Sequence, residues 1–82
     1  MRTYVATFHT ELSALITEKS LKRAGVPARL APVPRALSSS CGFSVIYDSI
    51  SPNEALMDED AQGIYEQTGG GYSLVWEQDA RP

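Results

Sequence analysis

Residues 3–8, Thr-Tyr-Val-Ala-Thr-Phe, are rich in β-branched and aromatic positions, which predicts a first strand with Tyr4, Ala6 and Phe8 on one face. Thr10 is placed to cap a helix over residues 11–24, and Gly25 to end it. Two apolar sets lie on that helix: Ala14, Leu21 and Ala24, and Leu12, Leu15 and Ile16. They do not merge into one stripe, so two faces compete for burial. Pro27 opens a second strand, 27–32, in which Ala28 and Leu30 alternate with Arg29 and Ala31. Residues 33–41 form a loop longer than the usual two to five residues of a hairpin, a length that points to function. A third strand, 42–48, alternates Phe43, Val45 and Tyr47 with Ser44, Ile46 and Asp48.

Ser51-Pro52 reads as a cap and first helical position, and Leu56, Met57, Ala61, Ile64 and Tyr65 follow at helical spacing. Gly69-Gly70-Gly71 breaks the chain before a last strand, 72–77. A hairpin competes with the helix: Gly63 ends a shorter helix, and residues 64–67 pair with 72–76 across the glycines. The helix is the preferred reading. The order βαββαβ then predicts one α+β domain over residues 1–82, ferredoxin-like, with a frayed tail at 78–82. Its antiparallel four-stranded sheet carries two helices on one face, with an extra C-terminal hairpin strand as the variant. This topology gathers His9, the loop 33–41, the glycine run 69–71 and the start of the first helix at one sheet edge.

Composition narrows the class. A 43% hydrophobic content is that of an ordinary folded domain. No apolar run approaches a membrane span, and the first residues lack the apolar core of a signal peptide. With a single cysteine, the cytoplasm is the expected location. The net charge of −3 divides into +4 over residues 1–40 and −7 over residues 41–82. An acidic chain argues against a nucleic-acid partner, although Lys19, Lys22, Arg23, Arg29 and Arg35 are basic. No membrane partner is expected either.

Cys41 is the candidate for chemistry. A lone thiol is a core hydrophobe, an intermolecular bridge or a reactive group, and unpaired cysteines are often buried and inert. Here Pro32 and Pro34 stiffen the entry to the loop. Ser38, Ser39 and Ser40 offer hydrogen bonds to a sulfur anion, and Gly42 lets the backbone approach a bound atom. A helix N-terminus, Arg35 or His9 nearby would raise the thiolate fraction. Other motifs carry less. One Cys and one His do not fill a zinc site, so no metal or other cofactor is expected. The glycine run lacks the Lys-Ser/Thr of a phosphate loop, and Asp58-Glu59-Asp60 reads as a solvated helix face. Glu18 is set to pair with Lys22 one turn on.

The segment Leu30-Ala31-Pro32-Val33-Pro34-Arg35, followed by Leu37-Ser38-Ser39-Ser40-Cys41-Gly42, resembles the Putative Se/S carrier protein-like family. The resemblance extends to Phe8-His9-Thr10 and to Ala24-Gly25-Val26-Pro27, and covers roughly residues 3–48. Ala36 departs from it, standing where a polar residue, often Glu, is expected. The resemblance implies that Cys41 carries sulfur or selenium as a persulfide or selenopersulfide. Arg35, Ser38, Ser39, Ser40, Gly42 and His9 would surround the cargo. Its partners would be a chalcogen donor or acceptor protein, and the chain would be a carrier rather than an enzyme. Two rivals remain open. One is a non-catalytic interaction or oligomerisation domain with a structural cysteine, using the sheet face of Val5, Thr7, Ile46 and Val75 to pair with another copy. The other is a thiol redox protein that relies on an external thiol, since no second cysteine is present.

Overall fold

The computed structural model describes residues 1–37 and 42–78. Strand β1 (Arg2–Phe8) leads to helix α1 (Glu11–Arg23), β2 (Ala28–Pro32) and β3 (Phe43–Ser49). A short 3-10 turn (Glu54–Leu56) precedes β4 (Ala61–Thr68) and β5 (Gly71–Glu77). All neighbouring strands are antiparallel, in the order β2-β3-β1-β4-β5.

The ferredoxin-like reading with two helices and four strands is therefore wrong. The fold has one α-helix and five strands, and the predicted second helix is a 3-10 turn followed by β4. Two local features explain the error. Asn53 takes a left-handed conformation (φ 55°), which a right-handed helix starting at Ser51-Pro52 does not admit. Its side-chain amide donates to Ser49 Oγ at 2.8 Å, which helps hold that turn. Further on, the β1–β4 register shifts: Thr7 lies opposite Gly63, but Phe8 lies opposite Ala61. Gln62 is the additional residue of a bulge, so Ala61 and Ile64, three apart, both reach the helix side of the sheet. A bulged strand thus reproduces the i, i+3 spacing of a helix.

The extra strand also moves the glycine run. Gly69 and Gly70 turn the β4–β5 hairpin beyond Thr68, at the end of the sheet where β1 begins. His9 and the loop that follows β2 lie at the other end, so the expected convergence of all these segments does not occur.

Helix α1 is bounded as its sequence indicates. Thr10 Oγ1 accepts from the Ser13 N–H at 3.2 Å. At the other end Gly25 is left-handed (φ 85°), its N–H donates to the Lys22 carbonyl, and the Val26 N–H donates to that of Leu21. This pair of bonds is the Schellman arrangement, with Val26 packed against the core as its apolar seal. Ser13, Ala14, Thr17 and Leu21 are the buried face. Leu12 and Ile16 stay 67% and 43% exposed, so the set containing Ala14 and Leu21 takes the core. Glu18 and Lys22 form an ion pair at 3.2 Å.

The core lies between α1 and the sheet: Tyr4, Ala6, Phe8, Val45, Tyr47, Ala61 and Ile64 from the strands, Ala14 and Leu21 from the helix. Tyr4 and Tyr47 stack with ring centroids 5.4 Å apart. The Tyr47 hydroxyl donates to the Pro52 carbonyl, which ties the 50–60 segment to the sheet. Burial, with smaller contributions from Tyr4 and Glu54, pushes the Tyr47 phenol well above the ordinary tyrosine value. Above about pH 10 the unfolded chain therefore loses a proton that the folded chain keeps, and stability falls as pH rises. The urea midpoint is expected to drop between pH 9 and pH 11. In Tyr47→Phe that drop should be smaller, although the variant starts less stable because the Pro52 bond is lost. An equal drop in both proteins would remove Tyr47 as its source.

Candidate functional site

The register of three strands defines one end of the molecule. Phe43 lies opposite both Phe8 of β1 and Pro32 of β2. The chain leaving β1 at His9, the chain leaving β2 at Val33 and the chain entering β3 at Gly42 therefore share one sheet end. The N-terminus of α1 is there as well, because only His9 and Thr10 separate it from β1. Cys41 and Ser38, Ser39 and Ser40 lie outside the described residues. The positions that flank them are defined. Pro34 to Leu37 form a turn closed by the Leu37 N–H on the Pro34 carbonyl at 3.0 Å, and Arg35 is exposed within it. Gly42 is exposed immediately before β3.

Beside Gly42 is a shallow depression of about 330 Å³ lined by Glu11, Leu30, Ala31, Pro32, Gly42, Phe43 and Ser44. Apolar strand residues form its wall, and Glu11 at the start of α1 forms its acidic rim. Ser44 is buried within the sheet, and its hydroxyl donates to the Ala31 carbonyl at 2.9 Å. This bond holds β2 against β3 where the loop departs.

The residue at this end that the sequence reading missed is Asp60. Its Oδ2 accepts from the His9 N–H at 2.9 Å and the Thr10 N–H at 3.1 Å. A carboxylate thus faces the positive end of the α1 dipole and offsets part of it. The helix N-terminus is correspondingly less able to stabilise a second anion nearby. Two residues earlier, the Asp58 N–H donates to Thr17 Oγ1 at 3.0 Å. Thr17 is fully buried, at the i+3 position from Ala14 and four before Leu21. A hydroxyl inside a helix's buried stripe needs a partner, and that was the available signal for this contact. Asp60 gave no such signal while residues 58–60 read as a solvated helix face. Only the β1–β4 pairing brings it to Thr10.

The family model described as Putative Se/S carrier protein-like matches residues 3–67. The chain belongs to this family. The match takes in β1 to Gln67 of β4 and leaves β5 outside. It spans the whole region around Cys41 and extends well past the segment over which the sequence resemblance was drawn. No curated protein and no solved structure matches the chain. Among the described residues no group of three or more His, Cys, Asp or Glu is set to hold a metal ion. No described helix is long and apolar enough to cross a membrane.

Asp60→Ala should lower stability by about 1 kcal/mol, the typical loss for a helix cap. Asp60→Asn, which keeps an acceptor oxygen but not the charge, should recover part of it. Urea unfolding of the two variants measures both. Equal stability of Asp60→Ala and the parent would show that the His9 and Thr10 bonds are exchanged for water at no cost.

Proposed function

We propose that the chain is a sulfur or selenium carrier that holds the chalcogen on Cys41, loaded and unloaded by partner proteins. The observation that carries this reading is the family match over residues 3–67 in a chain with a single cysteine. The loop geometry is compatible with it: exposed Arg35 and exposed Gly42 flank the cysteine in sequence, at a sheet end open to solvent.

In the loading step the Cys41 thiolate attacks the terminal sulfur of a donor persulfide. The Cys41 sulfur–sulfur bond forms as the donor's own sulfur–sulfur bond breaks, and the donor leaves as a thiolate that takes up a proton. Selenium transfers in the same way when the terminal atom of the donor is selenium. Unloading repeats the exchange with an acceptor thiolate. Arg35 and His9 are the candidates to favour the thiolate, and Ser38, Ser39, Ser40 and Gly42 to hydrogen-bond or accommodate the cargo.

Incubation with a cysteine desulfurase and cysteine, or a selenocysteine lyase and selenocysteine, should add about 32 Da (sulfur) or about 80 Da (selenium) to the intact mass. Reductant should remove the adduct, and Cys41→Ala should abolish it. Arg35→Ala should slow alkylation of Cys41 severalfold at pH 7 if the guanidinium favours the thiolate. An adduct that persists in Cys41→Ala would overturn the reading. So would alkylation of native Cys41 far slower than in the unfolded protein, which is the behaviour of a packed structural cysteine.

A further inference from the structure

We propose that two copies of the chain associate through the sheet face opposite α1, around a two-fold axis that runs along β1. The helix covers one face of the sheet, and the 3-10 turn lies on that same side, with Leu56 and Met57 packed against the core. Among the described residues no other element covers the second face.

That face is organised in rows by the strand register. Arg29, Ile46, Val5, Tyr65 and Leu74 are successive cross-strand partners from β2 to β5 and form one continuous row. Its four apolar members lie side by side: Val5 at the centre is buried among its neighbours, Ile46 and Tyr65 are half-buried, and Leu74 at the end remains 48% exposed. Val75, expected on this face, is instead the extra residue of a bulge: Ile64 pairs with Trp76 and Tyr65 with Leu74. A neighbouring row is made of small residues, Ala31, Ser44, Thr7 and Gly63, and ends at Glu77. A surface with a flat strip beside an apolar ridge is suited to packing against another sheet at about 10 Å.

Charge selects the occupant and the axis. The face carries Arg29 at its β2 edge, with Asp48 beside it on β3, and Glu77 at its β5 edge. A two-fold axis parallel to the strands lays β2 of one copy over β5 of the other, so Arg29 comes within one row of the partner copy's acidic edge, twice. A two-fold axis across the strands would put β2 over β2 and set the two arginines against each other, which costs energy. The first axis also sets Tyr72 over a concavity on this face. Tyr72 of β5 pairs with Gln67 of β4, and a depression of about 420 Å³ lined by residues that include Thr3, Pro27, Arg29, Ile46, Asp48 and Gln67 opens towards β2. The second copy presents its Tyr72 at the same height over the β2 side. Five strands about 4.8 Å apart and about 23 Å long make a face of about 550 Å². Two such faces total about 1,100 Å², just above the roughly 1,000 Å² expected of a specific interface.

This association does not depend on what Cys41 carries, and its test is the oligomeric state. Sedimentation equilibrium of the parent chain should give a dimer. Leu74→Glu and Tyr72→Ala should each raise the dimer dissociation constant at least about tenfold, with unchanged circular dichroism. Arg29→Glu should weaken the dimer, and Arg29→Glu with Glu77→Arg should restore most of the loss. Leu12→Glu, on the exposed side of α1, should leave it intact. A parent chain that stays monomeric at NMR concentrations would overturn the proposal. A dimer insensitive to Leu74→Glu, or one broken by Leu12→Glu, would overturn the face. A double charge exchange no better than Arg29→Glu alone would overturn the axis.

Discussion

Strand β1 is the member on which the rest of the structure depends. It is hydrogen-bonded on both sides, to β3 and to β4, and its alternate residues Tyr4, Ala6 and Phe8 form the floor on which α1 packs. The other residues of the strand, Val5 and Thr7, are also buried, although no described element covers their side of the sheet. A strand buried on both faces tolerates no slip in register, because a shift of one residue would exchange the two sets. The bulge at Gln62 shifts the register of β1 against β4, and it brings Ala61 under Phe8 without moving Ile64 from the core.

The same pairing organises the sheet end where the chain leaves β2 and enters β3. Because Phe8 and Phe43 are partners, the loops after β1 and before β3 leave the sheet together. Because Ala61 lies opposite Phe8, the Asp58–Asp60 segment runs along the first half of α1, where Thr17 receives Asp58 and the His9 and Thr10 amides receive Asp60. The helix is thereby tied to the chain at both ends of its buried stripe, by Asp60 near Thr10 and by the Gly25 closure beyond Leu21. The consequence at the helix start is electrostatic. The positive end of α1 has the Asp60 carboxylate against it, which offsets part of the helix dipole at that end.

Local signals carried the reading a long way. The strands β1, β2, β3 and β5, the Thr10 cap and the Gly25 stop are all set by residues within a few positions of one another, where turn chemistry and alternation act directly. The Leu30 to Gly42 block was legible for a similar reason: its prolines, serines and glycine are contiguous, so the family resemblance could be drawn from them and then extended by the match over residues 3–67. The residues 51–68 were harder. Their apolar positions fit a helix as well as a bulged strand, and nothing within the segment chooses between the two. Asp60 was missed for the same reason, because its partners are about fifty residues away in sequence.

By itself, then, the chain indicated an antiparallel sheet with a helix whose ends its own residues set, and it pointed to Cys41 as the candidate for chemistry. Only the tertiary structure decided between helix and hairpin after Ser51, since β4 gains hydrogen bonds from β1 on one side and β5 on the other. It also decided which side of α1 is buried, as Thr17 finds its partner only when Asp58 is brought to it. Finally, it moved the glycine turn to the far end of the sheet and put a carboxylate at the start of α1. Those outcomes depend on pairings between distant segments, which alternation and spacing along the chain do not encode.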